Sequence, residues 1–206
     1  MKVGIINFNS GNLYSIKKSI KDLGHDPFIC NDIIDLKKSD KIILPGVGSF
    51  YKAIEYLEKF GFADGLNEII LKKGLPILGI CLGMQLFCKS SKENKLSKGL
   101  CFIDAEVIDL KDFGCNLKLP HIGWNNIQIR GNSDILKEIP NNADFYFVHN
   151  FAVKCNNEKN ILATTDYGVE FVSIFQKDNI YGVQFHPEKS SEFGYKLIKN
   201  FLENKC

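Results

Sequence analysis

The chain has 206 residues, 45% of them hydrophobic and 24% charged, enough for one well-buried domain (residues 1–206) and too few for two large ones. The formal net charge is +2, with acids and bases interspersed and no long basic run, which argues against electrostatic capture of nucleic acid. The opening apolar stretch, Val3 to Ile6, is too short for a signal-peptide core, and no segment approaches the ~20 apolar residues of a membrane helix, so a cytoplasmic protein with no membrane contact is expected.

In chain order, Val3 to Phe8 reads as a strand. Asn12 to Leu23 has helical spacing, with Leu13, Ile16, Ile20 and Leu23 on one face and Gly24 as the stop. Pro27 to Cys30 is a weak strand and Lys41 to Leu44 a clear one, closed by Pro45-Gly46. Ser49 is placed to cap a helix that turns Ala53, Ile54 and Leu57 inward. Leu66 to Leu71 reads as a further helix. Pro76 to Ile80 is continuously apolar, as strands buried on both faces of a parallel sheet are. The polar stretch Ser90 to Lys98 predicts a surface loop.

Beyond Leu96 the pattern changes. Strands are predicted over Cys101–Leu110, Trp124–Arg130, Asp144–Val153, Ile161–Thr165, Phe171–Gln176 and Ile180–Phe185, before a last helix over Ser191–Leu202. The whole predicts an α/β fold with a central, mostly parallel sheet flanked by helices. The additional strands of the second half form either part of a mixed sheet or a second small antiparallel one.

Cys81 stands out chemically. It lies in Gly79-Ile80-Cys81-Leu82-Gly83, between a strand and the start of a helix. A sharp turn there projects a nucleophile from the strand end, and flanking glycines let neighbouring elements close on it. The start of a helix also favours a thiolate. Cys88, seven residues on and expected on the same helix, has no glycine bracket and reads as core. The other cysteines of the seven read as reduced, mostly buried thiols. The four histidines form no ligand pattern with them, so no metal is expected.

A nucleophilic cysteine needs a base, and the base an orienting group. His25 reads as surface, and His121 and His149 as structural or substrate-lining. His186 closes an apolar strand before Pro187, which favours an extended conformation in which His186 and Glu188 point the same way. The turn Pro45-Gly46-Val47-Gly48, at the end of the Ile42–Leu44 strand, can aim backbone N–H groups at a reacting carbonyl oxygen. The Leu82 N–H is the expected second donor. No G-K-[ST] follows that turn and no dinucleotide motif is present, so no cofactor is expected.

The segments PGVGSF, GICLGMQLF and GVQFHPEKS, in that order, resemble the triad (class I) glutamine amidotransferases. Within these, Ser10-Gly11-Asn12-Leu13, Leu119 to Asn125 (LPHIGWN), Tyr146-Phe147-Val148-His149 and Phe185 to Ser190 (FHPEKS) are similar to the glutaminase subunits of imidazole glycerol phosphate synthases. The resemblance runs from the first strand to the last helix. It implies that Cys81 attacks the carboxamide of glutamine while His186 protonates the departing nitrogen and Glu188 orients the imidazole. Gly46, Val47 and Gly48 would form the oxyanion strand and Gln85 would line the glutamine pocket. Ammonia would pass to a (β/α)₈ cyclase partner making imidazole glycerol phosphate and an aminoimidazole carboxamide ribotide. Trp124 and Lys189 would then face that partner, although Trp124 reads equally well as core.

Asn7-Phe8-Asn9 stands where this family commonly has Asp-Tyr-Gly. Leu100 to Ala105 (LCFIDA) resembles instead a branch that supplies ammonia for amidino groups on surface sugars. Two alternatives therefore accompany the histidine-pathway reading: the same glutaminase chemistry serving a surface sugar, or a non-catalytic partner or thiol redox sensor.

Overall fold

A computed structural model describes residues 1–8 and 13–204; the Ser10-Gly11-Asn12 part of the resemblance, with Asn9 and Cys206, lies outside the described residues. In chain order the strands are β1 (Lys2–Ile6), β2 (Asp26–Cys30), β3 (Lys41–Gly46), β4 (Ile77–Cys81), β5 (Ser90–Ser91), β6 (Ser97–Lys98), β7 (Ala105–Asp109), β8 (His121–Asn126), β9 (Gln128–Ile129), β10 (Asp144–His149), β11 (Phe151–Cys155), β12 (Ile161–Asp166), β13 (Glu170–Lys177) and β14 (Ile180–Val183). The helices are α1 (Leu13–Asp22), α2 (Ile33–Leu36), α3 (Phe50–Lys59), α4 (Phe62–Leu66), α5 (Leu82–Leu86) and α6 (Ser191–Glu203).

The main sheet runs β2-β1-β3-β4-β14-β13-β11-β7-β5-β6, with β12 and then β9 attached to β13. From β2 through β14 the neighbours are parallel; β13 and β11 join antiparallel. Strands β3 and β4 are buried along their whole length; β4 and Ile42–Leu44 of β3 are continuously apolar, and the buried Lys41 donates to the Phe201 and Asn204 carbonyls. Alternation along each strand then feeds two cores. Ile43, Leu78 and Ile80 pack with Ile16 and Ile20 of α1 and with Leu197, Ile198 and Phe201 of α6. Ile42, Leu44 and Ile77 pack on the other face with Leu57 of α3 and Leu66 of α4.

The second half resolves into both expected arrangements. β8 and β10 form a separate antiparallel ribbon, while β11 to β14 belong to the main sheet. The predicted Asp144–Val153 strand breaks at Asn150, where the chain leaves the ribbon for the main sheet. The predicted Cys101–Leu110 strand begins only at Ala105. Before it, Cys101 takes φ 59° and Phe102 and Ile103 both donate to the Phe87 carbonyl.

Three local expectations are corrected. The predicted Leu66–Leu71 helix is the end of α4 followed by a π-helix over Asn67–Lys72, where Asn179 Nδ2 donates to the Ile70 and Leu75 carbonyls. Ser49 precedes α3 without a capping bond; the Phe50 N–H donates instead to Glu93 Oε2 at 2.7 Å. Glu93 belongs to the expected surface loop, whose ends pair as β5 and β6. Finally, α5 stops at Leu86, so Cys88 lies beyond it, fully buried as read, and burial holds its thiol well above the ordinary value.

Candidate active site

Three adjacent parallel strands place the chemistry. β3, β4 and β14 run side by side, so their carboxyl ends share one edge of the sheet. Gly46 pairs in register with Cys81, and Val183 with Ile80. The glycine turn, the cysteine corner and the segment leading to His186 therefore emerge together, at the edge where open α/β sheets hold their ligands.

Cys81 ends β4 with φ 54° and ψ −109°, a conformation that side-chain-bearing residues rarely adopt. Such strain costs on the order of 1–3 kcal/mol and persists only where the surroundings impose it. Here they do. A Cβ on Gly83 would come within 1.7 Å of the Leu44 carbonyl oxygen, and one on Gly79 within 2.5 Å of the Phe87 ring. The glycine bracket lets α5 lie flat against β3 and forces the corner. The Cys81 sulfur then sits 3.7 Å from Gln184 Nε2 and 3.9 Å from the Val148 carbonyl oxygen.

His186 Nδ1 lies 2.9 Å from Glu188 Oε1, and the two side chains are 5% and 1% exposed, too dry for solvent to compete. They meet by a different route from the one expected. β14 ends at Val183, and Pro187–Lys189 is a 3₁₀ turn with proline in its first turn; that turn, not an extended chain, swings Glu188 back under the ring. Ser190 fixes the turn, donating to the His186 carbonyl at 2.6 Å and accepting from the Tyr146 N–H at 2.9 Å. His186 Nε2 and Glu188 Oε2 have no hydrogen-bond partner among the described residues. Burial alone would lower the pKa of His186. Hydrogen bonding and charge from Cys81 and Glu188 outweigh it and hold the ring at about 9.

A pocket of about 320 Å³ opens beside the sulfur, in the size range of small-molecule sites. Val47, Gly48, Cys81, Leu82 and Gln85 line it, together with Glu93 and His149. Gly48 has φ 102°, which only glycine takes easily, and this bends the Pro45–Gly48 turn over the pocket. Gln85 Nε2 donates to the Phe151 carbonyl and to Gln184 Oε1, both at 3.0 Å, which leaves its Oε1 for the pocket.

Trp124 and Lys189 lie outside the pocket, on its flank. Trp124 is 53% exposed, which excludes the core reading; its ring meets Tyr146 edge-on, and the Lys189 ammonium sits 5.8 Å from the Tyr146 ring centre. Sequence reasoning missed Gln184, Glu93 and Ser190. Gln184 had a signal, since it stands two residues before His186 at the end of an apolar strand. Glu93 had none, because it reaches the site from a polar loop.

The chain matches the class-I glutamine amidotransferase family over residues 4–205 and belongs to it. It is 45% identical over 200 residues to the imidazole glycerol phosphate synthase subunit HisH 1 of Campylobacter jejuni (strain RM1221), covering 97% of this chain and 98% of that one. It is 46% identical over 203 residues to the imidazole glycerol phosphate synthase subunit HisH of Buchnera aphidicola, covering 98% of this chain and all (100%) of that one. Among solved structures, one described as a glutamine amidotransferase superposes with a TM-score of 0.74 at 18% identity, covering 98% of this chain and 97% of that one. PurLQS from Thermotoga maritima superposes with 0.72 at 14% identity, covering 98% and 97%. These two likenesses concern the fold.

Proposed function

We propose that this chain is the ammonia-producing subunit of an imidazole glycerol phosphate synthase, acting in histidine biosynthesis, and that Cys81, His186 and Glu188 are its catalytic residues. The observation that carries the reading is the strained Cys81 corner beside a buried His186–Glu188 pair, in a chain 45% identical to a subunit of that name.

The Cys81 sulfur attacks the side-chain carboxamide carbon of glutamine while His186, held at a pKa of about 9, carries a proton on Nε2. The C–N bond breaks as the imidazolium protonates the departing nitrogen. Ammonia leaves and a γ-glutamyl thioester remains. His186, now neutral, takes a proton from water, which cleaves the thioester to glutamate, frees the Cys81 sulfur and leaves the proton on the ring. Glu188 holds the imidazole in place throughout. The backbone of Gly46, Val47, Gly48 and Leu82 stabilises the tetrahedral oxyanion. Gln85 Oε1 and the Glu93 carboxylate are the acceptors that meet the polar hydrogens of the substrate.

A (β/α)₈ cyclase subunit receives the ammonia. Ile122 and Trp124 on β8, 58% and 53% exposed, offer it an apolar seat beside the pocket, with Lys189 at the rim. The test is glutamate release from glutamine by the chain alone, with the cyclase, and with the cyclase and its nucleotide substrate. Strong stimulation in the full mixture supports the reading; no stimulation, with Cys81 still labelled by a glutamine analogue, overturns the choice of partner. The Leu100 to Ala105 segment would then favour the second reading, ammonia for amidination of a surface sugar.

A further inference from the structure

His121 and His149 face each other across the β8–β10 ribbon, 2% and 6% exposed, and the reaction described above uses neither as an acid or base. His121 Nδ1 and His149 Nε2 are 3.0 Å apart. His149 Nδ1 lies 2.8 Å from the Phe151 carbonyl oxygen, and His121 Nε2 lies 3.4 Å from Asn125 Nδ2. The same nitrogen donates to the Asp166 carbonyl of β12 at 2.8 Å, and Asn125 Oδ1 accepts from the Asn126 N–H at 2.8 Å.

Every proton in this chain is determined from its ends. The Phe151 carbonyl can only accept, so His149 carries its hydrogen on Nδ1. The Nε2 of that neutral ring is then an acceptor, so His121 also carries its hydrogen on Nδ1. The His121 Nε2 is left to accept from Asn125. The relay therefore runs one way: Asn125 to His121, to His149, to the Phe151 carbonyl. The same carbonyl oxygen accepts from Gln85 Nε2 at 3.0 Å, and Gln85 is bonded to Gln184, which reaches the Cys81 sulfur. Aromatic rings lock the middle of the relay: Tyr167 and Phe147 stack on His121 at 3.9 and 4.9 Å.

We propose that Asn125, His121 and His149 are positioning residues of the glutamine pocket: they orient the His149 ring in the pocket wall and the Phe151 carbonyl, and so fix which end of the Gln85 amide meets the substrate. The relay starts on β8, the strand that also exposes Ile122 and Trp124. A shift of that strand is thereby transmitted to the substrate amide. Burial leaves both rings neutral, as the relay requires. Without the His121 donor, His149 Nε2 is a buried acceptor with no partner, and the ring escapes that cost by turning its polar edge into the pocket.

The inference rests on the glutaminase reading of the pocket, and two measurements separate their failures. In the first, ¹⁵N NMR of the wild-type chain reads the tautomers directly. Both rings with hydrogen on Nδ1 is the expected result; hydrogen on Nε2 of His149 overturns the relay whether or not glutamine is a substrate. In the second, glutamine turnover is compared between wild type, His121→Phe and His121→Asn. The phenylalanine keeps the stacking but removes the donor. The asparagine can place an N–H where Nδ1 stood. His121→Phe is expected to raise KM for glutamine about tenfold with kcat changed by less than about threefold, and His121→Asn to recover most of the loss. An unchanged KM in a folded His121→Phe variant overturns the proposal. If that variant does not fold, the tautomers decide. A wild-type chain that turns over no glutamine sinks the reading of the pocket instead.

Discussion

His186 and His149 are both buried, at 4% and 6% exposure, and close enough to feel each other's charge, yet they hold protons in opposite ways. Burial pushes each imidazole toward its neutral form. At His149 it wins: the Phe151 carbonyl favours a proton, but the neighbouring His121 and His186 rings oppose one, and the pKa falls to about 3. His121, stacked between Tyr167 and Phe147, falls to about 4. At His186 it loses, because Cys81 and Glu188 supply the countercharge that dry aromatic walls cannot, and the pKa rises to about 9. Two neighbouring histidines are thus divided by their partners. The paired site is equipped to move a proton, and the other to hold a fixed hydrogen-bond pattern.

Removing one partner breaks the contrast most sharply. Cys81→Ala takes away the nucleophile and, with it, one of the two groups that hold the His186 proton. Glutamine turnover is expected to fall on the order of 10⁴-fold or more, while ammonia-dependent synthesis by the cyclase complex persists. Glutamate release measures the first and product formation from added ammonia the second. Residual glutamine turnover near the wild-type rate would remove Cys81 from the mechanism.

Glu188→Gln makes the first pair resemble the second, replacing a buried carboxylate with a neutral amide. Turnover is expected to drop about 10²–10⁴-fold with folding preserved, and the His186 pKa to move down from about 9 toward the ordinary value. The pH profile of kcat/KM checks both parts. An unchanged profile would mean that Glu188 does not orient the base.

How far this contrast was legible in the sequence depends on distance along the chain. Cys81 between glycines, the Gly46–Gly48 turn and His-Pro-Glu are local patterns, and the chemistry of each follows from its immediate neighbours. Their convergence was only partly legible: the first-half strands read as a parallel sheet, but the sequence left open where the Ile180–Phe185 strand joins, and its parallel pairing with β4 comes from the structure. The relay was not legible, because His121 and His149 meet across 28 residues and only the ribbon register brings them opposite. Gln85 and Gln184 meet across 99 residues, and Glu93 reaches the start of α3 across 43. Even the His186–Glu188 contact, foreseen as a pair, is made by a 3₁₀ turn that alternation along a strand does not suggest.

Stability against pH reads both pairs at once. The native pKa values of His121 and His149 lie below the unfolded value near 6.5. Their contribution is complete above pH 6.5 and is lost as pH falls toward 4, because the unfolded chain takes up protons first. His186 has the opposite sign. Its contribution is complete below pH 6.5 and is lost as pH rises through about 9. Stability is therefore expected to be greatest near pH 6.5 and to decline on both sides, each neutral histidine accounting for about 3 kcal/mol by pH 4 on the acid side. Denaturant titration across pH 4 to 10 measures it. In Glu188→Gln the alkaline decline should shrink and the acid one remain, and an equal change in both would mean that the two pairs are not separable.

The smallest effect expected is at Tyr167, whose ring stacks on His121 at 3.9 Å and whose hydroxyl donates to the Lys118 carbonyl. Tyr167→Leu keeps most of the apolar cover but loses the flat face and the hydroxyl, at a cost of about 1 kcal/mol. Water reaching the exposed edge of His121 would weaken the burial that holds it at about 4, so its pKa should rise toward 6.5 and the acid decline in stability should soften. His186 has its own partners and should titrate as before. NMR titration of the histidine ring protons follows each separately. If His121 stayed near 4 with its stacking ring gone, the aromatic wall could not be what keeps the second pair neutral, and the difference between the pairs would rest on their hydrogen bonds alone.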